Sequence, residues 1–401
     1  MYDVAVVGAG PAGSTAAKSA AENGASVLLI ERKGDIGVPL KCGEYLPTLK
    51  EMQSLTPAVN NIEKVFKVPD KFIVNRPNFV KLISPKGKEA GAMFEAVVIE
   101  RKFFDKYLAQ EAARAGADIM VRTEVEHILP DGKGLTVKAD GKRSHIHTKT
   151  VIGADGAGSI IARQLGLQTT PNAIDFGICL QYEMARVDSD PRVVDMYFGK
   201  DYAPGAYAWI IPKGDGVANV GVGLRTPYVD KGVTAQDCLR KLIKHHPVAS
   251  KKLRNAVPTA VVTGIVPVGG PPPKTFTENA LVVGDAAGQT IATVGAGVPT
   301  AMICGNIAGA TVANYIRGDC RLIEYETKWK KELGDVLSSA LKIRKINDLI
   351  GKSDRIMEYA ICNWLKGELL GKFLRCKFDL NLLKHLKTVQ SLVKGNKVSG
   401  P

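Results

Sequence analysis

Along the first thirty residues a short apolar run, DVAVV (3–7), gives way to a glycine-rich turn, GAGPAG (8–13). An alanine-rich stretch, STAAKSAAENG, and a second apolar run, ASVLLIE, follow and end at Glu31. Short apolar runs bounded by turn residues predict buried strands, and the segment between them has helix-forming composition. Residues 3–31 therefore predict strand, turn, helix, strand. The stretch VVIERKFFDKYLAQEAARAGADIMVRTEVEHILP predicts a strand end, a helix and a pair of strands. LTVKADG and polar turns around His145 and His147 come next, and VIGADGAGS closes this part.

From Phe176 to Val268 the period changes. GICLQYEMA, VVDMYFG, YAWIIP, VANVGVG and TAVVTGIVPV read as strands of an antiparallel sheet, with one helix in TAQDCLRKLIKHH. ALVVGDAAG then returns to the style of the first strands and leads into a small-residue helix, VPTAMICGNIAGATVANYI, after which the period stays helical. The predicted class is α/β. A Rossmann-like domain is expected from 1–75, 96–170 and 275–325, with an inserted antiparallel-sheet domain for substrate from 76–95 and 171–274. A helical C-terminal region, 326–401, completes the chain.

Composition narrows the classes. With 45% hydrophobic and 23% charged residues over 401 positions, the chain is expected to be globular throughout most of its length. No apolar window is long enough to span a bilayer, and the apolar run starting at Val4 leaves no room for a signal peptide. The seven cysteines, at 42, 179, 238, 304, 320, 362 and 376, are odd in number and show no C-x-x-C spacing, so no metal site and a reducing, cytoplasmic setting are expected. The formal charge of +14 fits an anionic membrane, a phosphorylated substrate or nucleic acid. Nucleic acid is set aside because no recognition module is present. Much of the excess lies beyond Lys328, where LLKHLKTVQSLVKGNKV alternates cations with apolar residues, a pattern suited to the inner face of a membrane and equally to a solvated helix. His245-His246 stands at a predicted helix end, where capping is the expected role; His127, His145, His147 and His385 have no usable spacing.

The G-x-G-x-x-G turn gains its meaning from context. It follows a strand, opens a helix and has an acid about 20 residues on, as a dinucleotide fingerprint requires. Gly8 allows the tight turn, Gly10 lets the backbone approach a pyrophosphate, and Gly13 lets helix and strand pack closely. The helix N-terminus supplies positive charge, and Glu31 would accept hydrogen bonds from a ribose. FAD and NAD both fit this motif.

Three further motifs separate them. Glu100-Arg101 with Phe104-Asp105, GADGAGS (153–159) and LVVGDAAG (281–288, read from Leu281) resemble the para-hydroxybenzoate-hydroxylase class of FAD enzymes. Within that class KCGE, the Y-x-W-x-x-P of Tyr207, Trp209 and Pro212 followed by KGDGVANVGVG, and GDAAGQ are similar to the geranylgeranyl reductase family, which saturates isoprenoid chains of archaeal lipids. The resemblance covers roughly Val4 to Tyr315. Tyr45 departs from it by standing where glycine is common, and Val294-Gly295-Ala296-Gly297 replaces Thr-Gly-Gly-Gly.

The resemblance implies an FAD-dependent reductase of C=C bonds in geranylgeranyl lipids or diphosphates, served by an external donor: ferredoxin, a deazaflavin or NADPH. It implies contacts to FAD from Ala12, Cys42, Gly43, Arg101, Val125, Asp285 and Gly295, beside Gly8, Gly10, Gly13 and Glu31. A helix starting at Gly297-Val298 would face the flavin with its positive end. Cys42 is expected beside the ring, to hold or protonate the alkene, against a plain packing role. Tyr207 and Trp209, two apart on a strand, are expected to wall the lipid slot or else to pack sheet against domain. A monooxygenase and a flavin or lipid carrier remain as alternatives.

Overall fold

The computed structural model describes residues 1–130, 132–167, 172–351 and 353–377. In chain order the strands begin with β1 (Tyr2–Val7), β2 (Val27–Ile30), β3 (Tyr45–Pro47), β4 (Ile73–Asn75), β5 (Phe79–Ile83), β6 (Glu89–Met93) and β7 (Ala96–Ile99). Next come β8 (Asp118–Met120), β9 (Thr123–Ile128), β10 (Gly134–Ala139) and β11 (Lys142–Gly153). The rest are β12 (Phe176–Ala185), β13 (Val193–Tyr197), β14 (Ala208–Gly214), β15 (Val217–Leu224), β16 (Val257–Pro267) and β17 (Ala280–Val282). The helices of eight residues or more among those described are α1 (Pro11–Glu22), α2 (Arg101–Arg114), α3 (Ala235–His245), α4 (Val298–Arg317), α5 (Ile323–Ile350), α6 (Asp354–Asn363) and α7 (Gly367–Leu374).

The first sheet runs β8-β2-β1-β11-β10-β9, with β17 beside β11. β1 pairs parallel with β2 and β11, and β17 parallel with β11, so a nearly all-apolar strand such as β1 is covered on both faces. One expectation fails here. His145 and His147 lie within β11, not in turns: His145 faces Thr136 and His147 faces Gly134 across the antiparallel β10. That half of β11 is mostly exposed, so a polar composition is compatible with a strand.

Small residues set the spacing of the helical layer. A Cβ on Gly305 would fall 2.4 Å from the Ala12 carbonyl oxygen, and one on Gly309 2.2 Å from that of Ala16. Only glycine lets α4 approach α1 this closely. The alanine-rich α1 and glycine-bearing α4 thus form one tight pair over the sheet.

The second sheet runs β16-β12-β15-β14-β13-β5-β6, antiparallel except where β13 meets β5. Its alternation buries two faces. On one, Leu239 and Leu242 of α3 join Val220 and Val222 in a core. The other carries Gln181, Trp209 and Ile211 toward the loop at Lys41–Glu44. A small third sheet, β3-β7-β4, presents Tyr45 opposite Val98.

His246 does cap, through its ring. Nδ1 accepts from the amides of Val248 and Ala249, both at 3.2 Å, while Nε2 lies 3.1 Å from the Ser84 carbonyl. The imidazole is fully buried against the edges of Tyr197 and Tyr202.

Candidate active site

The glycine-rich turn adopts the geometry its spacing predicts. Gly8 has φ +99°, and a Cβ on Gly13 would lie 1.8 Å from the Gly8 carbonyl oxygen. Nothing lies within 4 Å of the position a Cβ would take on Gly10, so the backbone is open to a ligand there. Ala12 instead packs inward, 2.8 Å from the Cβ position of Gly284. Glu31 sits at the end of β2; its carboxylate accepts from the amides of Ala9 and Lys33, each at 3.0 Å. The acid therefore braces the turn and keeps lone pairs for a ribose. Val125 stands apart: its side chain lies in the core with Val7 and Ile30, so any contact to a nucleotide is through its main chain.

At the other end of the crevice several residues far apart in sequence converge. Arg101, at the start of α2, forks onto Asp105 at 2.8 and 2.5 Å and lies beside Cys42. Burial works against the charge on Arg101, but Asp105 and Cys42 more than offset it. The Cys42 sulfur also accepts from the Glu44 amide at 3.1 Å. Asp285 is half-buried, with Thr290 Oγ1, at 3.3 Å, as the hydrogen-bond donor to its carboxylate among the described residues. Burial pushes its carboxyl up, against the pull of Thr290 and Arg101. A half-buried carboxylate with one weak donor has capacity for ligand hydroxyls. Gly297, the residue before α4, places its Cβ position 2.8 Å from Asp285 Oδ1, so a side chain there would collide with that carboxylate.

The second sheet closes this space. Gln181 donates to the Cys42 carbonyl at 3.2 Å and accepts from the Trp209 indole at 2.8 Å. A Cβ on Gly43 would be 3.3 Å from Ile211 and 4.0 Å from Trp209 Nε1. Tyr207 precedes β14 and donates to the Val294 carbonyl at 2.6 Å, tying the turn before α4 to the sheet. Gly295 in that turn meets Val266 of β16. Tyr207 and Trp209 contact edge to face, their centroids 5.8 Å apart, and both polar ends are satisfied within the protein. On the same face, burial and the proximity of Cys42 push the Cys179 thiol up to about 12, so it stays protonated at neutral pH. The Tyr45 hydroxyl is buried without a partner.

Beneath Cys42 lies a cluster that the motif reading did not single out. Lys213 Nζ is 2.9 Å from Glu44, 2.5 Å from Glu100 and 2.8 Å from Glu183. Asn219 donates to Glu44 at 3.0 Å and to the Gly43 carbonyl at 3.1 Å. The signal was available. Glu44 ends KCGE, Lys213 follows Pro212, and Asn219 lies in VANVGVG.

Comparison with known proteins accounts for both halves of this crevice. A model described as FAD dependent oxidoreductase matches residues 3–173, and one described as geranylgeranyl reductase catalytic domain matches 175–266. A digeranylgeranylglycerophospholipid reductase of Methanocaldococcus jannaschii is 40% identical over 356 residues, covering 86% of each chain. A second such reductase, of Methanothermobacter thermautotrophicus, is 36% identical over 404 residues and covers 98% of each. The chain belongs to the geranylgeranyl reductase family. A solved geranylgeranyl bacteriochlorophyll reductase-like protein of Thermoplasma acidophilum superposes with TM-score 0.82 at 28% identity, covering 97% of this chain and 99% of that one. This family member is an FAD-dependent reductase, and the expected fold class and cofactor are borne out. The family favours the reductase over the monooxygenase and the carrier. The open Gly10 backbone, Glu31 and the under-satisfied Asp285 fit pyrophosphate, ribose and ribityl groups respectively.

Proposed function

We propose that this reductase saturates C=C bonds of geranylgeranyl chains on an archaeal-type glycerophospholipid, with the alkene held between Cys42 and the inner face of the second sheet. The convergence of Cys42, Arg101 and Asp285 under Gln181 and Trp209 carries the reading. Bound FAD, once reduced by an external donor, supplies the hydride. The chain's own task is then to bind the alkene, exclude water and deliver one proton to the second carbon. Cys42 Sγ–H is the proposed proton source. The thiolate left behind would be stabilised by the Glu44 N–H, already directed at sulfur, and by the nearby charge of the Arg101 guanidinium. Gly297-Val298, at the start of the 20-residue α4, would offer amide N–H groups to the flavin.

Anaerobic incubation with dithionite and geranylgeranylated phospholipid, followed by mass spectrometry, should show addition of hydrogen pairs. Cys42→Ser and Cys42→Ala should retain and reduce FAD yet hydrogenate lipid at least about tenfold more slowly, the low end of what positioned proton transfer contributes. Full activity in both at matched flavin content returns Cys42 to packing.

We also propose that the protein takes its substrate while adsorbed to an anionic membrane. No helix among the described residues is long and apolar enough to cross one. The basic end proposed for this contact, LLKHLKTVQSLVKGNKV (382–398), lies outside the described residues, and His385 with it. Support comes from Ile178, Val261 and Ile265, exposed on strands whose other face covers the Cys42 loop. Sedimentation with anionic vesicles should weaken with salt; equal binding to neutral vesicles would exclude a role for charge.

A further inference from the structure

We propose that Lys213 is a positioning residue, the pin that holds the Cys42–Glu44 loop of the FAD domain against the second sheet. The inference deepens the proposed function and rests on it only for the effect on turnover. Four elements meet at one ammonium. Glu44 comes from the loop, Glu100 precedes α2 and its Arg101, Glu183 lies on β12, and Lys213 itself is on β14. Side-chain exposure is 1% for Glu44 and 6% for Lys213, and it rises to 26% for Glu100 and 33% for Glu183. The contact sealed deepest is thus the one between the sheet and the loop that carries Cys42.

Stability alone does not explain such a cluster. Buried ions lose hydration, and apolar residues of similar volume commonly do as well or better for stability. What ions add is a fixed geometry. Glu44 has φ +64°, a left-handed conformation that costs energy in a residue with a Cβ and persists only where its surroundings over-determine it. Here they do. One carboxylate oxygen accepts from the Arg101 amide at 2.9 Å and the other from Lys213 and Asn219, while the Glu44 carbonyl accepts from the Ile99 amide at 3.0 Å. Asn219 also holds the Gly43 carbonyl, and Gln181 holds that of Cys42. The conformation of Glu44 in turn aims its own amide at the Cys42 sulfur.

Three clustered carboxylates invite comparison with a cation site, since their oxygens lie within 4.8 Å of one another. Lys213 Nζ contacts all three at 2.5–2.9 Å and so stands where such an ion would be. Burial would lower the ammonium pKa, but the charge of Glu44 and the hydrogen bonds Lys213 donates to Glu100, Glu183 and Glu44 overcome it and hold Lys213 above its usual value. The cluster carries its own permanent cation.

The test uses Lys213→Met in the FAD-loaded enzyme, with two readouts. The first is the maleimide labelling rate of Cys42, identified by peptide mass spectrometry. It should rise at least about tenfold as the loop is released. The second is lipid hydrogenation, where kcat should fall about tenfold while KM stays within about threefold and FAD content is unchanged, as expected for lost orientation without lost binding. Lys213→Arg, which restores the charge, should return the labelling rate to within about threefold of the native protein. An unchanged labelling rate in Lys213→Met overturns the proposal. So does a loss of kcat that merely tracks lost FAD. If Lys213→Met does not fold, Asn219→Ala, which leaves every ion pair in place, should still raise labelling about threefold, and no rise there would overturn the proposal. Faster labelling combined with full activity of Cys42→Ala would instead defeat the catalytic reading of Cys42 and leave the pin intact.

Discussion

The nucleotide-binding turn and the inner face of the second sheet border one crevice, yet they are specified in opposite ways. Gly8, Gly10, Gly13 and Glu31 fall within a single strand–helix–strand unit, and the contacts that define the turn, Gly13 on Gly8 and Glu31 on Ala9, lie inside it, with Ala154 abutting Gly8 from the neighbouring strand end. On the sheet side Cys42 meets Gln181 across 139 residues and Glu44 meets Lys213 across 169. Local geometry builds the first; the register of distant strands builds the second. Damage should therefore separate along the same line, with lesions in the turn removing cofactor and lesions in the sheet removing orientation.

The sharpest break is Gly13→Ala. A Cβ 1.8 Å from a carbonyl oxygen cannot be accommodated without moving the turn, so the purified protein should retain no FAD by visible absorbance. Next comes Glu31→Ala. Losing charged acceptors for the Ala9 and Lys33 amides and for the ribose should weaken FAD binding by about 1.5–3 kcal/mol, read by flavin fluorescence titration. An unchanged Kd would remove Glu31 from the cofactor site.

Gln181→Leu tests the other side. It leaves the Trp209 indole N–H and the Cys42 carbonyl without their partner, at a cost of about 1–3 kcal/mol in stability by denaturant unfolding. FAD affinity should stay at the native value. A parallel loss of FAD would show that the two regions are not separable.

The smallest expected effect lies far from the crevice. Burial holds the His246 imidazole below its usual value, opposed by its hydrogen bond to Ser84 and by the charges of Asp195 and Glu358. The native state therefore prefers neutral His246, whose Nδ1 accepts two amides. Its contribution is full above the unfolded pKa of about 6.5 and is lost as pH falls through the lower folded value. Denaturation midpoints should fall from neutral to mildly acidic pH, and His246→Gln should flatten that slope. An identical slope in the variant would assign it to other groups.

How much of this was legible differs by element. The runs around β1, α1, β2, β12 to β16 and α4 were readable because alternation and small-residue spacing are properties of neighbouring positions. The outer half of β11 was not, since its exposed polar residues carry no such period. Cys42, Arg101 and Asp285 were named through motif resemblance, and the fold brings them within reach of one another. Glu44, Lys213 and Asn219 stand in or beside the quoted motifs, but which carboxylates share the ammonium follows only once the fold places Glu44, Glu100 and Glu183 around it.

By itself the sequence determined the dinucleotide turn, the order of elements and the family, since each follows from residues close in the chain or from motifs kept in order. Tertiary structure alone decided which side chains share the crevice floor. Lys213 lies on β14 of the second sheet and Glu44 in the loop before β3, and their pairing depends on strand register: a shift of one residue on β14 would turn Lys213 to the opposite face and leave Glu44 buried without its counter-charge.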